Sequence, residues 1–147
     1  APIIYLIGSL RNPEIPWIAN ELRTAGYDVF DDWFAPGPEA DDYWQKYETA
    51  RGHSYKEALR GYAAQHIFAF DFYHLNRAAI GLLALPAGKS GHLEFGWLIG
   101  KGVPGYILLD KEPERWDVMS QFANGVFTSI GELIDTFTVK HPPTQPR

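Results

Sequence analysis

The sequence predicts an α/β chain: a Rossmann-like, doubly wound sheet of about four to five mainly parallel strands flanked by helices. Three observations carry that expectation. Short apolar runs (Ile3–Ile7, Tyr27–Phe30, Ile80–Leu85, Gly105–Leu109) alternate with stretches of helical period. The first run is apolar throughout and rich in β-branched isoleucine, as suits a strand covered on both faces. Glycine-bearing turns follow the first and third runs, Gly8-Ser9 and Pro86-Ala-Gly-Lys-Ser-Gly91, and sheets of this class hold ligands beyond the carboxyl ends of their strands.

The elements follow in order. After Ile3–Ile7, Asn12, Pro13 and Glu14 open a helix; Trp17, Ile18, Leu22 and Ala25 recur at helical spacing and Gly26 stops it. Tyr27–Phe30 is the second strand. The next twelve residues, DDWFAPGPEADD, hold two prolines, a glycine and four aspartates, which predicts a loop without regular structure. From Asp42 to about Gln65 the pattern is helical with a break at Gly52, and Ala58, Leu59, Tyr62 and Ala63 form one apolar stripe. The run HIFAFDFYHLNRAA is ambiguous by period, and a helix is expected through Asp71–Arg77. Ile80–Leu85 is the third strand. A helix over about His92–Lys101 follows, with His92 and Glu94 in its first turn, and Gly105–Leu109 is the fourth strand. Asp110–Asn124 reads as a loop with a short helix, and Ser129-x-x-Glu132 as a capping box for a last helix to about Thr138. One domain over residues 1–140 and a loosely ordered tail over 141–147 are expected.

Composition narrows the partners. The chain has 147 residues, 46% hydrophobic and 21% charged, which suits one globular core. A formal net charge of −5 argues against a nucleic-acid polymer or an anionic membrane as partner. The absence of cysteine excludes disulfides, thiolate nucleophiles and cysteine zinc sites, and it suits a reducing, cytoplasmic setting. The N-terminal apolar run is too short for a signal peptide or a membrane span. Five histidines show no metal-ligand spacing, so neither a metal nor a cofactor is expected. An aromatic share of 15% serves a core and also the walls of a planar-ligand pocket.

Chemistry concentrates in the turns. Gly8, Ser9 and Arg11 offer close backbone approach, a hydroxyl and a guanidinium; Lys89, Ser90 and Gly91 add a second turn at the same sheet edge. Each alone is an ordinary strand-to-helix turn, but together they describe a phosphate pocket. It is not a P-loop, because the first glycine of that motif is missing: Leu83 and Ala84 stand there. Glu94 is either a helix-terminal carboxylate or a functional one. Asp71, amid Phe68, Phe70, Phe72 and Tyr73, is either an exposed helix residue or a held group. Two carboxylates over a sugar ring are what cleavage of a glycosidic bond requires. Trp33 and Phe34 are either a wall for a base or lid packing. The aspartates 31, 32, 41 and 42 have the composition of a cation site, but a solvated acidic loop is the better reading.

The first strand with its turn (Tyr5-Leu-Ile-Gly-Ser-Leu-Arg11), Asp71, and Ser90-Gly-His-Leu-Glu94-Phe-Gly-Trp resemble the nucleoside 2-deoxyribosyltransferase superfamily, closest to its nucleoside 5′-monophosphate N-glycosidase branch. The resemblance spans roughly Ile3 to Gly125. It implies Glu94 as the nucleophile, Asp71 as the residue that holds sugar hydroxyls or assists the leaving base, and Tyr5 as the residue that orients Glu94. It further implies a 5′-phosphate held by Gly8, Ser9, Arg11 and Ser90. Lys89, Gly91 and His92 join the candidate binding residues by their place in the same turn, and Trp33 by its place in an aromatic insert, 33–62, that is unusual for the family. A homodimer is implied, with Ser120, or Asn124 in the transferase branch, supplied by the neighbouring subunit. The implied activity is hydrolysis of a nucleoside 5′-monophosphate to free base and sugar phosphate, with base exchange or nucleotide sensing as alternatives. One departure stands out: Ala79 occupies a place where relatives carry an aspartate.

Overall fold

The computed structural model describes residues 2–143. Five strands, β1 (Ile3–Ile7), β2 (Asp28–Phe30), β3 (Ile80–Ala84), β4 (Gly105–Leu108) and β5 (Gly125–Phe127), make one parallel sheet in the order β2-β1-β3-β4-β5. The helices among the described residues are α1 (Ile15–Thr24), α2 (Ala40–Ala50), α3 (Tyr55–Ala58), α4 (Tyr62–Asn76), α5 (Lys89–Lys101) and α6 (Ile130–Lys140).

Alternation along β1 decides the layering. All five of its residues are buried, and successive side chains point to opposite faces. Ile4 and Leu6 join Ile15, Ile18 and Leu22 of α1 and Leu133 and Phe137 of α6. Ile3, Tyr5 and Ile7 join Leu75 of α4 and Phe95 and Leu98 of α5. Each fully buried Leu or Ile contributes about 1.5–3 kcal/mol by leaving water. Bare strand positions let α5 settle on the sheet: a methyl group at Gly81 would lie 2.7 Å from Leu98 Cδ1, and one at Gly105 2.9 Å from Phe95 Cε1. Gly102, at φ 93°, then ends α5 in the left-handed region.

Several expected boundaries shift. The loop expected over 31–42 contains a 3₁₀ turn at Asp32–Phe34, and α2 begins inside it at Ala40. The apolar stripe expected across Ala58–Ala63 is broken, since α3 ends at Ala58 and α4 starts at Tyr62; Ala58 is buried while Tyr62 is 90% exposed. The ambiguous aromatic run belongs to one fifteen-residue helix, α4. β5 is unexpected from sequence, because a three-residue strand carries too little pattern. α5 begins at Lys89, three residues early, so Lys89-Ser90-Gly91 form its first turn and Glu94 falls in the second. His141, expected in a loose tail, is pinned: Tyr27 Oη donates to its carbonyl at 2.7 Å, and its Nε2 lies 2.7 Å from Tyr106 Oη. The rest of that tail, 144–147, lies outside the described residues.

The strand order reverses between β1 and β3. In open parallel sheets the crevice at such a reversal, outside the carboxyl ends, is where ligands sit.

Candidate active site

Tyr5 occupies the middle of β1, opposite Phe30 and Gly81, and faces α5. Glu94 stands three residues after buried Gly91 and four before buried Leu98, on the face that α5 turns to the sheet. Tyr5 Oη donates a hydrogen bond to Glu94 Oε2 at 2.8 Å, linking residues 89 apart in sequence. Burial pushes the Glu94 carboxyl up to about 7; the Tyr5 hydrogen bond pulls the other way, and the charge of Asp71 adds to the rise. Being in the second turn, Glu94 has little help from the helix dipole, which acts within the first. Burial, then the charges of Glu94 and Asp71, hold the Tyr5 phenol far above its usual range, so it stays a donor. Burial also raises Asp71. Tyr5, Asp71 and Glu94 thus share one poorly solvated place, although the sequence separates them widely.

Asp71 reaches this place from α4. With Trp33, Asp32, Pro36, His66, Ile67 and Phe70 it lines a cavity of about 150 Å³ at the carboxyl edge. Trp33 is fixed there because its Nε1 donates to the Leu6 carbonyl at 2.7 Å. It is therefore a wall of the cavity while also packing on both core clusters. Phe30 ties the wall to the chemistry: its ring centroid is 5.1 Å from that of Tyr5, 5.9 Å from Phe70 and 4.0 Å from stacked His74.

The two glycine turns meet as expected of neighbouring strands. A methyl at Gly8 would lie 2.6 Å from Ile15 Cδ1 and 3.4 Å from the Ala84 carbonyl; one at Gly91 would lie 3.2 Å from Ile7 Cγ2. Gly8 is thus bare for the sake of α1 and β3, and Gly91 so that α5 can start against β1. Ser9 Oγ accepts from the Arg11 N–H at 3.0 Å, and buried Asn12 accepts from the Glu14 N–H at 3.0 Å, which fixes the backbone of the first turn. Lys89 and Ser90 are exposed in the first turn of α5. His92 Nδ1 donates to the Gly88 carbonyl at 2.7 Å. The Arg11 guanidinium extends toward α2, with Nη2 3.6 Å from Asp42 Oδ2.

Other expected residues lie elsewhere. Ser120 is exposed in a 3₁₀ turn, Val118–Phe122. Asn124 Oδ1 accepts from the Gly105 N–H at 2.9 Å, at the amino ends of β4 and β5, away from Glu94 of its own chain. Ala79 is also at the amino edge, its N–H donating to the Ile3 carbonyl at 2.8 Å; an aspartate missing there is missing from the wrong end of the sheet to touch this site. Asp31 is partnered by Arg23 at 2.6 Å. Among the described residues no cluster of histidine and acidic side chains could hold a metal ion. Asp32, expected in a solvated acidic loop, stands on the cavity wall, and neither Phe30 nor His66 was among the expected site residues. Phe30 had one usable signal, its place at the carboxyl end of a strand beside β1.

No family model matches the chain, and no curated protein matches it. A solved structure of 2-deoxyribosyltransferase from the psychrotolerant bacterium Bacillus psychrosaccharolyticus, described as a biocatalyst for synthesis of antiviral and antitumoral nucleosides, is similar in fold. It aligns with a TM-score of 0.64 over 99% of this chain and 99% of that chain, at 15% identity. Among the described residues no helix is long and apolar enough to cross a membrane.

Proposed function

We propose that this chain belongs to the nucleoside 2-deoxyribosyltransferase superfamily and hydrolyses the N-glycosidic bond of a nucleoside 5′-monophosphate. The observation that carries the reading is the Tyr5–Glu94 hydrogen bond at the β1/β3 reversal, with Asp71 acting on both groups. In this reading an ionised Glu94 oxygen attacks the anomeric carbon as the bond to the base breaks. The leaving base takes a proton, from Asp71 or through water it holds. A glycosyl ester of Glu94 results, and water cleaves it to give sugar phosphate and free carboxylate. Tyr5 orients the nucleophile and favours its charged form. The cavity beside Asp71 would take the base against Trp33, and we assign the phosphate to Gly8, Ser9, Arg11, Lys89 and Ser90.

A homodimer is part of the proposal. Large apolar side chains stand exposed along α4 and α5, among them Phe68, Tyr73, Leu93 and Trp97, as on a face that a second copy covers. The partner would bring Ser120 to the phosphate.

One observation favours base exchange instead: the similar solved structure is named a 2-deoxyribosyltransferase. Both reactions share the glycosyl ester and differ in what resolves it. Incubation with ribo- and deoxyribonucleoside monophosphates, with and without a second free base, separates them by chromatography. Released base and sugar phosphate are expected; exchange on unphosphorylated nucleosides would replace the hydrolase reading, and tight binding without released base would leave a sensor.

A further inference from the structure

We infer that Asp42 is a specificity-determining residue that competes with the substrate phosphate for Arg11. This deepens the phosphate subsite of the proposed function and rests on that reading. The backbone of Arg11 is fixed, because Ser9 Oγ accepts its N–H, whereas its side chain is 73% exposed and free to choose a partner. Asp42, in the first turn of α2 and 51% exposed, supplies that partner at 3.6 Å. Among the described residues no other carboxylate forms an ion pair with Arg11. The guanidinium therefore has, in the resting protein, an acidic neighbour that belongs to the 40–50 helix and not to the sheet. A phosphate dianion reaching Arg11 has to displace that carboxylate and then sit beside it. Asp42 thus weakens phosphate binding twice, by occupying the cation and by repelling the anion, and does nothing to an unphosphorylated ribose.

An exposed pair of this length is worth little in isolation, so the effect is a tuning one. It also carries a salt signature: the Debye length falls from about 30 Å at 0.01 M to about 3 Å at 1 M.

The test is calorimetric titration of the wild-type protein, Asp42→Asn, Arg11→Ala and the double variant with a nucleoside 5′-monophosphate, its unphosphorylated nucleoside and inorganic phosphate, at low and high salt. Asp42→Asn is expected to bind the monophosphate roughly 1.5- to fivefold more tightly at low salt. Its nucleoside affinity should stay unchanged, the gain should shrink at high salt, and it should be smaller in the Arg11→Ala background. Unchanged or weaker monophosphate binding, or an equal gain on the nucleoside, overturns the inference. Base release is scored separately. A phosphate gain without turnover leaves Asp42's role standing while the hydrolase reading falls; turnover with no gain does the reverse. No phosphate binding by any of the four proteins removes both.

Discussion

The two ends of the sheet are built on opposite terms. At the amino edge a cavity of about 250 Å³ lies among Tyr27, Ala79, His141 and Pro142. The polar groups there are matched locally: Tyr27 to the His141 carbonyl, Tyr106 to His141 Nε2, Asn124 to Gly105. At the carboxyl edge the cavity is smaller, yet Asp71 on its wall acts on the buried Tyr5–Glu94 pair, and burial raises all three groups. Size alone would select the wrong end. A fold that only had to be stable would leave Glu94 and Asp71 in water; the cost of holding them is what makes this edge the candidate site.

The largest expected effect tests that contrast directly. Glu94→Gln should reduce base release by roughly a thousandfold or more, the scale of losing a nucleophile, while ligand binding persists. The same variant should be more stable than the wild type at pH 8. Because the folded carboxyl titrates near 7 against an ordinary 4.5, its contribution to stability is full below about 4.5 and lost as pH rises through 7. The gain at pH 8 is roughly 2–3 kcal/mol and vanishes near pH 4, which denaturant titration at the two pH values measures. Equal stability at both would mean that Glu94 is not held against its charge.

A smaller effect sharpens the role of Tyr5. Activity should rise with pH along a limb near 7 as Glu94 ionises. Tyr5→Phe removes the one interaction that lowers the Glu94 value, so the limb should move to higher pH and the plateau fall roughly ten- to a hundredfold. A lowered plateau with the limb in place would make Tyr5 a packing residue only.

The smallest effect belongs to the other edge. His141→Ala should cost about 1–2 kcal/mol of stability through the lost Tyr106 hydrogen bond and ring packing, with base release per folded molecule unchanged. Lost turnover at unchanged stability would break the division between the edges.

Much of the fold is legible in the sequence. β1, α1 and β3 declare themselves because buried strands and amphipathic helices must repeat their apolar residues at fixed periods. The α5 stop at Gly102 is equally plain. β5 and the start of α4 were not, since three residues cannot establish a period and an aromatic run reads as helix or strand alike. Among the site residues, Glu94 and Asp71 could be picked out as carboxylates in apolar surroundings. Asp42 could not, because nothing local distinguishes it from its acidic neighbours in 31–42.

Alone, the sequence determined the parallel α/β layering and nominated Asp71 and Glu94, since periodicity and misplaced charge are properties of short stretches; Tyr5 entered only through the family resemblance. Tertiary structure decided which end of the sheet each residue occupies and which groups touch. It put Ala79 and Asn124 at the amino edge, set Glu94 in the second turn of α5 against Tyr5, and brought Asp42 to Arg11. Those pairings depend on strand order and helix docking, which act between residues tens of positions apart and leave no mark on the stretches they join.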